Sequence, residues 1–447
     1  MSCSIVAQNG IYIHTLGCPK NDADSRTLSR ALTTAGVRVV DDPSECSHVL
    51  LNTCGFIQDA KEESIAAILN ACASYSGRVF VMGCLVERYR RELEAGIPEV
   101  AGWFGLAEND RLIGVLRCVV GPTTTYTDTT HTDLCPAAGT QIDRGLPYAY
   151  VKISDGCDEP CTFCAIPAIK GPYHSVDTAS ILADVDACLD AGVREIILVG
   201  QDTAIWQDGD RDLTGLLDLV LADERVRRLR IMYLQPEHVS DTLLHYMADE
   251  AKMCRYLDLP FQHADAEVLR RMGRRGEGGA YRALVSRARR LMPDVSVRST
   301  FIVGFPGETE EQFEVLMEFV DDIGFDHAGG FIYSPEEGTC GALLRPRVKK
   351  QIALDRLNRL NALVVARAQA EHGRLIDSCV DVMIDVIDPS DDQGVAAVGR
   401  TEGQAPDVDG VTYIEGDLPT GVGPGDIVRA TIIDAVGHDL IARCDAS

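Results

Sequence analysis

The sequence predicts an α/β protein in three parts. These are an N-terminal parallel-sheet domain of Rossmann or flavodoxin type, a central partial (βα)6 barrel of TIM type, and a small C-terminal β-barrel. Three observations lead there. Strand-like and helix-like stretches alternate from Ile11 to about Glu87, and they alternate again in six longer units after Tyr148. Beyond Ile376 the helical pattern stops, and short alternating strands are separated by Gly, Pro and Asp turns. Alternation of this kind requires parallel strands joined by right-handed crossovers. Five short strands in a row suggest a small closed barrel.

The length of 447 residues agrees with about three domains at ~150 residues each. The expected boundaries are 1–121, a linker at 122–146, a core at 147–375 and a final module at 376–447. With 46% hydrophobic and 25% charged residues, the composition is that of a soluble globular chain. Neither a signal-peptide pattern in Met1–Asn9 nor a membrane-length apolar run is present, which predicts a cytoplasmic protein without membrane attachment. Sixteen cysteines in so long a chain point to metal ligands rather than to a secreted disulfide framework. The net charge of −26 argues against general affinity for nucleic acid and favours a basic protein partner, or simply high solubility.

In the first part a unit of strand, cysteine-bearing loop and helix occurs three times. Ile11–His14 leads to Leu16-Gly17-Cys18-Pro19-Lys20-Asn21 and then to a helix carrying Leu28, Leu32 and Ala35. Val49–Leu51 leads to Asn52-Thr53-Cys54-Gly55-Phe56 and a helix from about Asp59. Val79–Met82 leads to Gly83-Cys84-Leu85 and a helix from about Glu87. Ligands of open parallel sheets bind beyond the carboxyl ends of the strands. Cys18, Cys54 and Cys84 therefore belong on one edge, where they read as shared metal ligands. Gly17, Gly55 and Gly83 allow the backbone close approach to a bulky group. Cys3, Cys46, Cys72 and Cys118 lack this placement and read as buried structural cysteines. Seven threonines within Thr123–Thr132, flanked by Pro122, Pro136 and Gly139, mark the linker.

The central part carries the densest signal. Strands are expected at Ala149–Ile153, Glu195–Val199, Leu229–Leu234, Tyr256–Pro260, Val297–Val303 and Ala328–Tyr333, with helices between them. Thr309-x-x-Gln312 opens the last of these helices as a capping box. Val348–Ala366 forms a further helix with Ala353, Leu357, Leu360 and Val364 on one face. Directly after the first strand, Cys157, Cys161 and Cys164 have the spacing C-x3-C-x2-C. Crowded thiolates bind soft metal, and a cube-type iron–sulfur cluster normally takes four of them. Three leave one iron open to a non-protein ligand. Zinc is the alternative; it requires a fourth ligand, with His174 nearest, at a spacing no usual zinc finger has. Gly200-Gln201-Asp202, Gln262-His263, Gly304-Phe305-Pro306-Gly307 and Arg298 place polar groups after or within strands, suited to a polar cofactor.

In the last part, strands are expected at Val380–Val386, Val395–Arg400, Val411–Ile414, Ile427–Val436 and Leu440–Arg443. From Ile376 to Ser447 there are fifteen acidic residues against three arginines and no lysine. Such a surface lacks cations for phosphate, which argues against direct RNA binding by this module. It suits a basic client.

Together these motifs resemble the radical S-adenosylmethionine methylthiotransferases, over nearly the whole chain. The resemblance implies that Cys157, Cys161 and Cys164 hold a [4Fe-4S] cluster whose open iron binds S-adenosylmethionine, with Phe163 close to the adenine. It implies that Cys18, Cys54 and Cys84 hold a second [4Fe-4S] cluster that presents sulfur. The C-terminal part resembles a TRAM domain, with Gln404–Gly410 as its inner turn. His14–Asn21, Asn52–Ile57, Ala60–Ser64, Ser154–Cys157, Leu259–His263 and Glu336–Thr339 resemble the RimO-type branch, which modifies the β-carbon of an aspartate in ribosomal protein S-twelve. Ala23-Asp24-Ser25-Arg26 and Lys170 depart from that pattern. The implied partners are S-twelve, free or within the small ribosomal subunit, an external electron donor and a sulfur source. The competing readings are a transfer-RNA methylthiotransferase (MiaB type), a two-cluster electron carrier or redox sensor, and a zinc-binding structural protein.

Overall fold

The computed structural model describes residues 10–75, 77–120, 145–387 and 394–444. The chain divides into two compact units. One comprises the N-terminal part together with Ala165–Pro172; the other comprises Leu146–Cys164 and everything from Tyr173 onward. The expected linker lies almost wholly outside the described residues, as does Cys3.

The first unit runs β1 (Ile11–Thr15), α1 (Pro19–Thr34), β2 (Val39–Val40), β3 (His48–Thr53), α2 (Gln58–Ser74), β4 (Val79–Gly83), α3 (Cys84–Gly96), β5 (Gly102–Phe104) and α4 (Asn109–Val120). Its five parallel strands lie in the order β2-β1-β3-β4-β5. Alternate strand residues serve opposite faces. Tyr12, Val49, Leu51, Val79 and Val81 join Ile68, Ala71, Leu85 and Leu93 of α2 and α3. Ile11, Ile13, Leu50, Phe80 and Met82 join Leu28, Leu32, Leu112 and Leu116 of α1 and α4. Both faces of the sheet are thus covered, each such side chain contributing roughly 1.5–3 kcal/mol of burial.

The second unit begins with β6 (Tyr148–Lys152) and the short β7 (Ser154–Asp155). The helix α5 (Ile166–Lys170), which belongs to the first unit, precedes β8 (His174–Ser175). Then come α6 (Thr178–Asp190), β9 (Glu195–Val199), the hairpin β10 (Gln207–Asp208) and β11 (Arg211–Asp212), α7 (Leu213–Leu221), β12 (Arg228–Ile231) and α8 (Asp241–Asp249). After β13 (Tyr256–Asp258) follow α9 (Ala266–Arg271), α10 (Gly278–Leu291), β14 (Ser296–Val303), α11 (Glu310–Ile323), β15 (His327–Ile332) and α12 (Lys350–Gly373). Six parallel strands form two groups, β6-β9-β12 and β13-β14-β15, joined by a bridge between Leu229 and Met253. This is the expected partial barrel, with strands in sequence order. Thr309 and Gln312 form the expected capping box at the start of α11.

The remaining strands, β16 (Cys379–Ile387), β17 (Val395–Arg400), β18 (Thr412–Glu415), β19 (Ile427–Val436) and β20 (Asp439–Cys444), close into a barrel. Its attachment to the strands of the central part is polar and buried. Arg400 pairs bidentately with Asp385 at 2.6 and 2.9 Å and reaches Glu195 at 2.8 Å. Glu195 also takes Arg230 at 2.8 Å. Tyr148 and Tyr150 donate to Asp407, and Tyr256 donates to Asp409. Two of the acidic residues of the C-terminal part, Asp385 and Asp409, are therefore buried against arginines rather than offered to a client, while Asp407 accepts from two tyrosines at the surface. No helix among the described residues is long and apolar enough to cross a membrane.

Candidate functional site: two sets of three cysteines

Strand order 2-1-3-4-5 is the doubly wound flavodoxin-like arrangement, and its ligand site lies at the carboxyl ends of the two strands where the order reverses. Those strands are β1 and β3. Cys18 stands three residues past β1 and caps α1, Cys54 follows β3 directly, and Cys84 follows β4 as the first residue of α3. Because β1, β3 and β4 are neighbours, the three thiols fall on adjacent strand ends about 4.8 Å apart per step. Two of them also stand at helix N-termini, where the helix dipole favours a thiolate.

Buried polar side chains brace these loops. Asn52 donates to the Asn21 carbonyl at 3.1 Å and to Ser25 Oγ at 2.9 Å, while Asn21 donates to the Leu16 carbonyl at 2.6 Å. Ser64 accepts from the Cys54 amide and donates to the Cys54 carbonyl. Thr53 Oγ1 donates to the Met82 carbonyl at 2.6 Å. Gly17 has φ of 98°, and a Cβ there would lie 2.6 Å from Cys54 Cβ. At Gly83, with φ of 106°, a Cβ would strike the Thr53 carbonyl. Each glycine is thus required by both conformation and space. Burial pushes the Cys54 thiol up and the Cys84 thiol up to about 12, with Lys170 acting against burial at Cys84. Thiols this dry ionise only against a compensating cation, as a bound iron would provide.

Cys46 and Cys72 are buried, as expected of structural cysteines, but Cys118 is exposed on the outer face of α4. That expectation fails for Cys118.

In the second unit, Cys157, Cys161 and Cys164 follow β6 and β7 and are all partly exposed. Their loop is pinned from three sides. Thr162 donates from its amide to the Met272 carbonyl at 2.8 Å and from its hydroxyl to the Arg271 carbonyl at 2.8 Å. The Gly341 amide donates to the Thr162 carbonyl at 2.7 Å. The Glu159 amide points at Cys157 Sγ at 3.5 Å. Arg274, nearly fully buried, stands 4.0 Å from Cys161 Sγ and is fixed by the Pro260 carbonyl at 2.7 Å. Burial raises the thiols of Cys157 and Cys161, while Arg274 favours the Cys161 thiolate. His174 is exposed and lies in the β7–β8 ladder. No three metal-ligating side chains among the described residues converge on a single ion.

The other expected residues separate. Phe163 packs with Val268, Met272 and Phe305 beside the cysteine loop. Gly200 and Gln201 sit at the carboxyl end of β9, where Ser154 Oγ leaves no room for a side chain at Gly200. Both amide atoms of Gln201 are buried and have no hydrogen-bond partner among the described residues. A buried amide left unpaired is costly, so the position fits a polar ligand that completes it. Arg298 does not share this place. It is the third residue of β14, at the amino end, paired with Asp258 at 2.9 Å and Asp409 at 3.4 Å. Its guanidinium serves the attachment of the C-terminal barrel, which corrects the expectation that it contacts cofactor. His263 is fully buried, accepting from the Asp265 amide and facing Glu308. Sequence reasoning missed Arg274, and it missed the pair of His238 with Asp202 at 2.6 Å, which raises the imidazole. Neither carries a local motif; only the fold brings them to the loop.

Comparison with known proteins decides the family. Residues 10–105 match Uncharacterized protein family UPF0004, residues 151–320 the Radical SAM superfamily, and residues 376–444 the TRAM domain. The relatives include ribosomal protein uS12 methylthiotransferase RimO of Thermodesulfovibrio yellowstonii, 37% identical over 95% of this chain and 96% of that one. The protein of the same name from Syntrophus aciditrophicus is 36% identical over 98% and 99%. The chain belongs to the RimO family. Among solved structures, the radical S-adenosylmethionine methyltransferase TsrM from Kitasatospora setae, with cobalamin and a [4Fe-4S] cluster bound, matches with TM-score 0.53 at 14% identity. That match covers 73% of this chain and 76% of TsrM and shows a shared fold.

Proposed function

We propose that this protein inserts a methylthio group at the β-carbon of an aspartate of ribosomal protein S-twelve, using two separate [4Fe-4S] clusters. The observation that carries the reading is the near end-to-end match to relatives named for that activity. The donor sets support it. Cys157, Cys161 and Cys164 would hold one cluster and leave an iron open for S-adenosylmethionine. Cys18, Cys54 and Cys84 would hold the other. Bound there, these groups supply one-electron reductive cleavage of S-adenosylmethionine, removal of hydrogen from an unactivated carbon, and sulfur for transfer.

The chain's own residues bind and orient. Arg274 steadies the Cys161 sulfur, Gln201 offers an unpaired amide to the polar cofactor, and Phe163 gives the adenine an apolar neighbour. No side chain need act as a general base for hydrogen removal. Electrons come from an external donor, and a second S-adenosylmethionine supplies the methyl group. The test is anaerobic turnover of the reduced protein with S-adenosylmethionine and either S-twelve or transfer RNA. A methylthio group on an S-twelve aspartate, together with 5′-deoxyadenosine, is the expected result. Modification of the RNA instead would sink the choice of substrate, and absence of 5′-deoxyadenosine would leave an electron carrier.

A further inference from the structure

Lys170 is the last residue of α5 and belongs to the first unit, although it follows Cys164 by only six positions. Its side chain is 3% exposed and its ammonium stands 3.5 Å from Asp24 of α1. The same helix packs Ala165 and Ile169 against Cys84 in a small apolar cluster with Leu106. Cys84 itself is 6% exposed. A cation is thus sealed into the wall behind one of the three N-terminal thiols, with little water to screen it. Asp24, on α1, faces the same ammonium with the opposite charge. A lysine that served solubility would reach solvent; this one is held inside, at the end of the helix that packs against Cys84.

We infer that Lys170 is a positioning residue that raises the reduction potential of the cluster held by Cys18, Cys54 and Cys84, with Asp24 restraining that effect. Cluster potentials respond to local charge, hydrogen bonds and solvent exposure. A fixed positive charge stabilises the reduced, more negative state, and it equally stabilises any anionic sulfur placed on an open iron of that cluster. The inference rests on the two-cluster reading above.

The experiment separates the two. In the full chain with Cys157, Cys161 and Cys164 replaced by alanine, only the N-terminal cluster can form, and its potential is read by redox titration monitored with electron paramagnetic resonance. Lys170→Met should shift the potential to more negative values with iron content retained. Lys170→Arg should restore it, and Asp24→Asn should shift it to more positive values. An unmoved potential in Lys170→Met at full iron content would overturn the inference. If Lys170→Met loses its iron, Asp24→Asn decides: a positive shift supports the inference and no shift overturns it. A starting variant that binds no iron would overturn the second cluster itself, which is a different failure.

Discussion

At the scale of single residues, the N-terminal loops tolerate little change, because their glycines and amides occupy space that thiols need. Gly17→Ala introduces both an unfavourable positive φ and a Cβ against Cys54. It should displace that thiol and lower bound iron from about eight to about four per chain, counted after anaerobic reconstitution. Asn52→Ala removes two buried hydrogen bonds, to the Asn21 carbonyl and to Ser25 Oγ, which together cost about 1–3 kcal/mol. Its melting temperature should fall even without metal. Gln201→Ala should weaken S-adenosylmethionine binding about tenfold in calorimetric titration, the value of one good hydrogen bond to a charged group. Unchanged affinity would show that the unpaired amide faces something else. The placement of the six cysteines just past strand ends was legible at this scale, because spacing and strand ends announce it. Arg298 was misjudged although the expected strand Val297–Val303 already put it at the amino end, because its partners Asp258 and Asp409 lie far away in sequence. Lys170 and Asp24 are 146 positions apart, and no local pattern joins such a pair.

At the scale of elements, the strands and helices that position the cysteines follow from hydrophobic period alone. β2 and β5, of two and three residues, escaped because so short a run carries no period, and α5 escaped for the same reason at five residues. The acidic character of the C-terminal part was correctly counted but only partly read. Asp385, Asp407 and Asp409 attach the barrel, and their partners Arg400, Tyr148, Tyr150 and Tyr256 lie far away in sequence. Arg400, 1% exposed, bridges Asp385 and Glu195. Arg400→Met leaves the buried Asp385 carboxylate without its arginine and takes one of the two arginines bound to Glu195, and should cost about 3–5 kcal/mol in denaturant unfolding. Burial disfavours the Glu195 charge, but Arg400, Arg230 and Arg228 outweigh it and hold the carboxyl down to about 2. A folded value below the ordinary 4.5 means a contribution complete above that pH and lost as the pH falls toward about 2. Glu195→Gln should flatten this part of the stability profile, followed by circular dichroism.

At the scale of the whole molecule, the same solution appears twice. A parallel sheet brings βα loops to one edge, and in each unit three cysteines follow strand ends there. In the first unit the cysteines follow three different strands, and only their repeated place after expected strands links them in the sequence. In the second they share one loop, so spacing alone groups them. The most direct test of this account is an iron count after anaerobic reconstitution of the wild type and of two triple Cys→Ala variants. The account predicts about eight irons in the wild type, and about four in the variant lacking Cys18, Cys54 and Cys84. About four should likewise remain in the variant lacking Cys157, Cys161 and Cys164. Iron unchanged after loss of Cys18, Cys54 and Cys84 would contradict it.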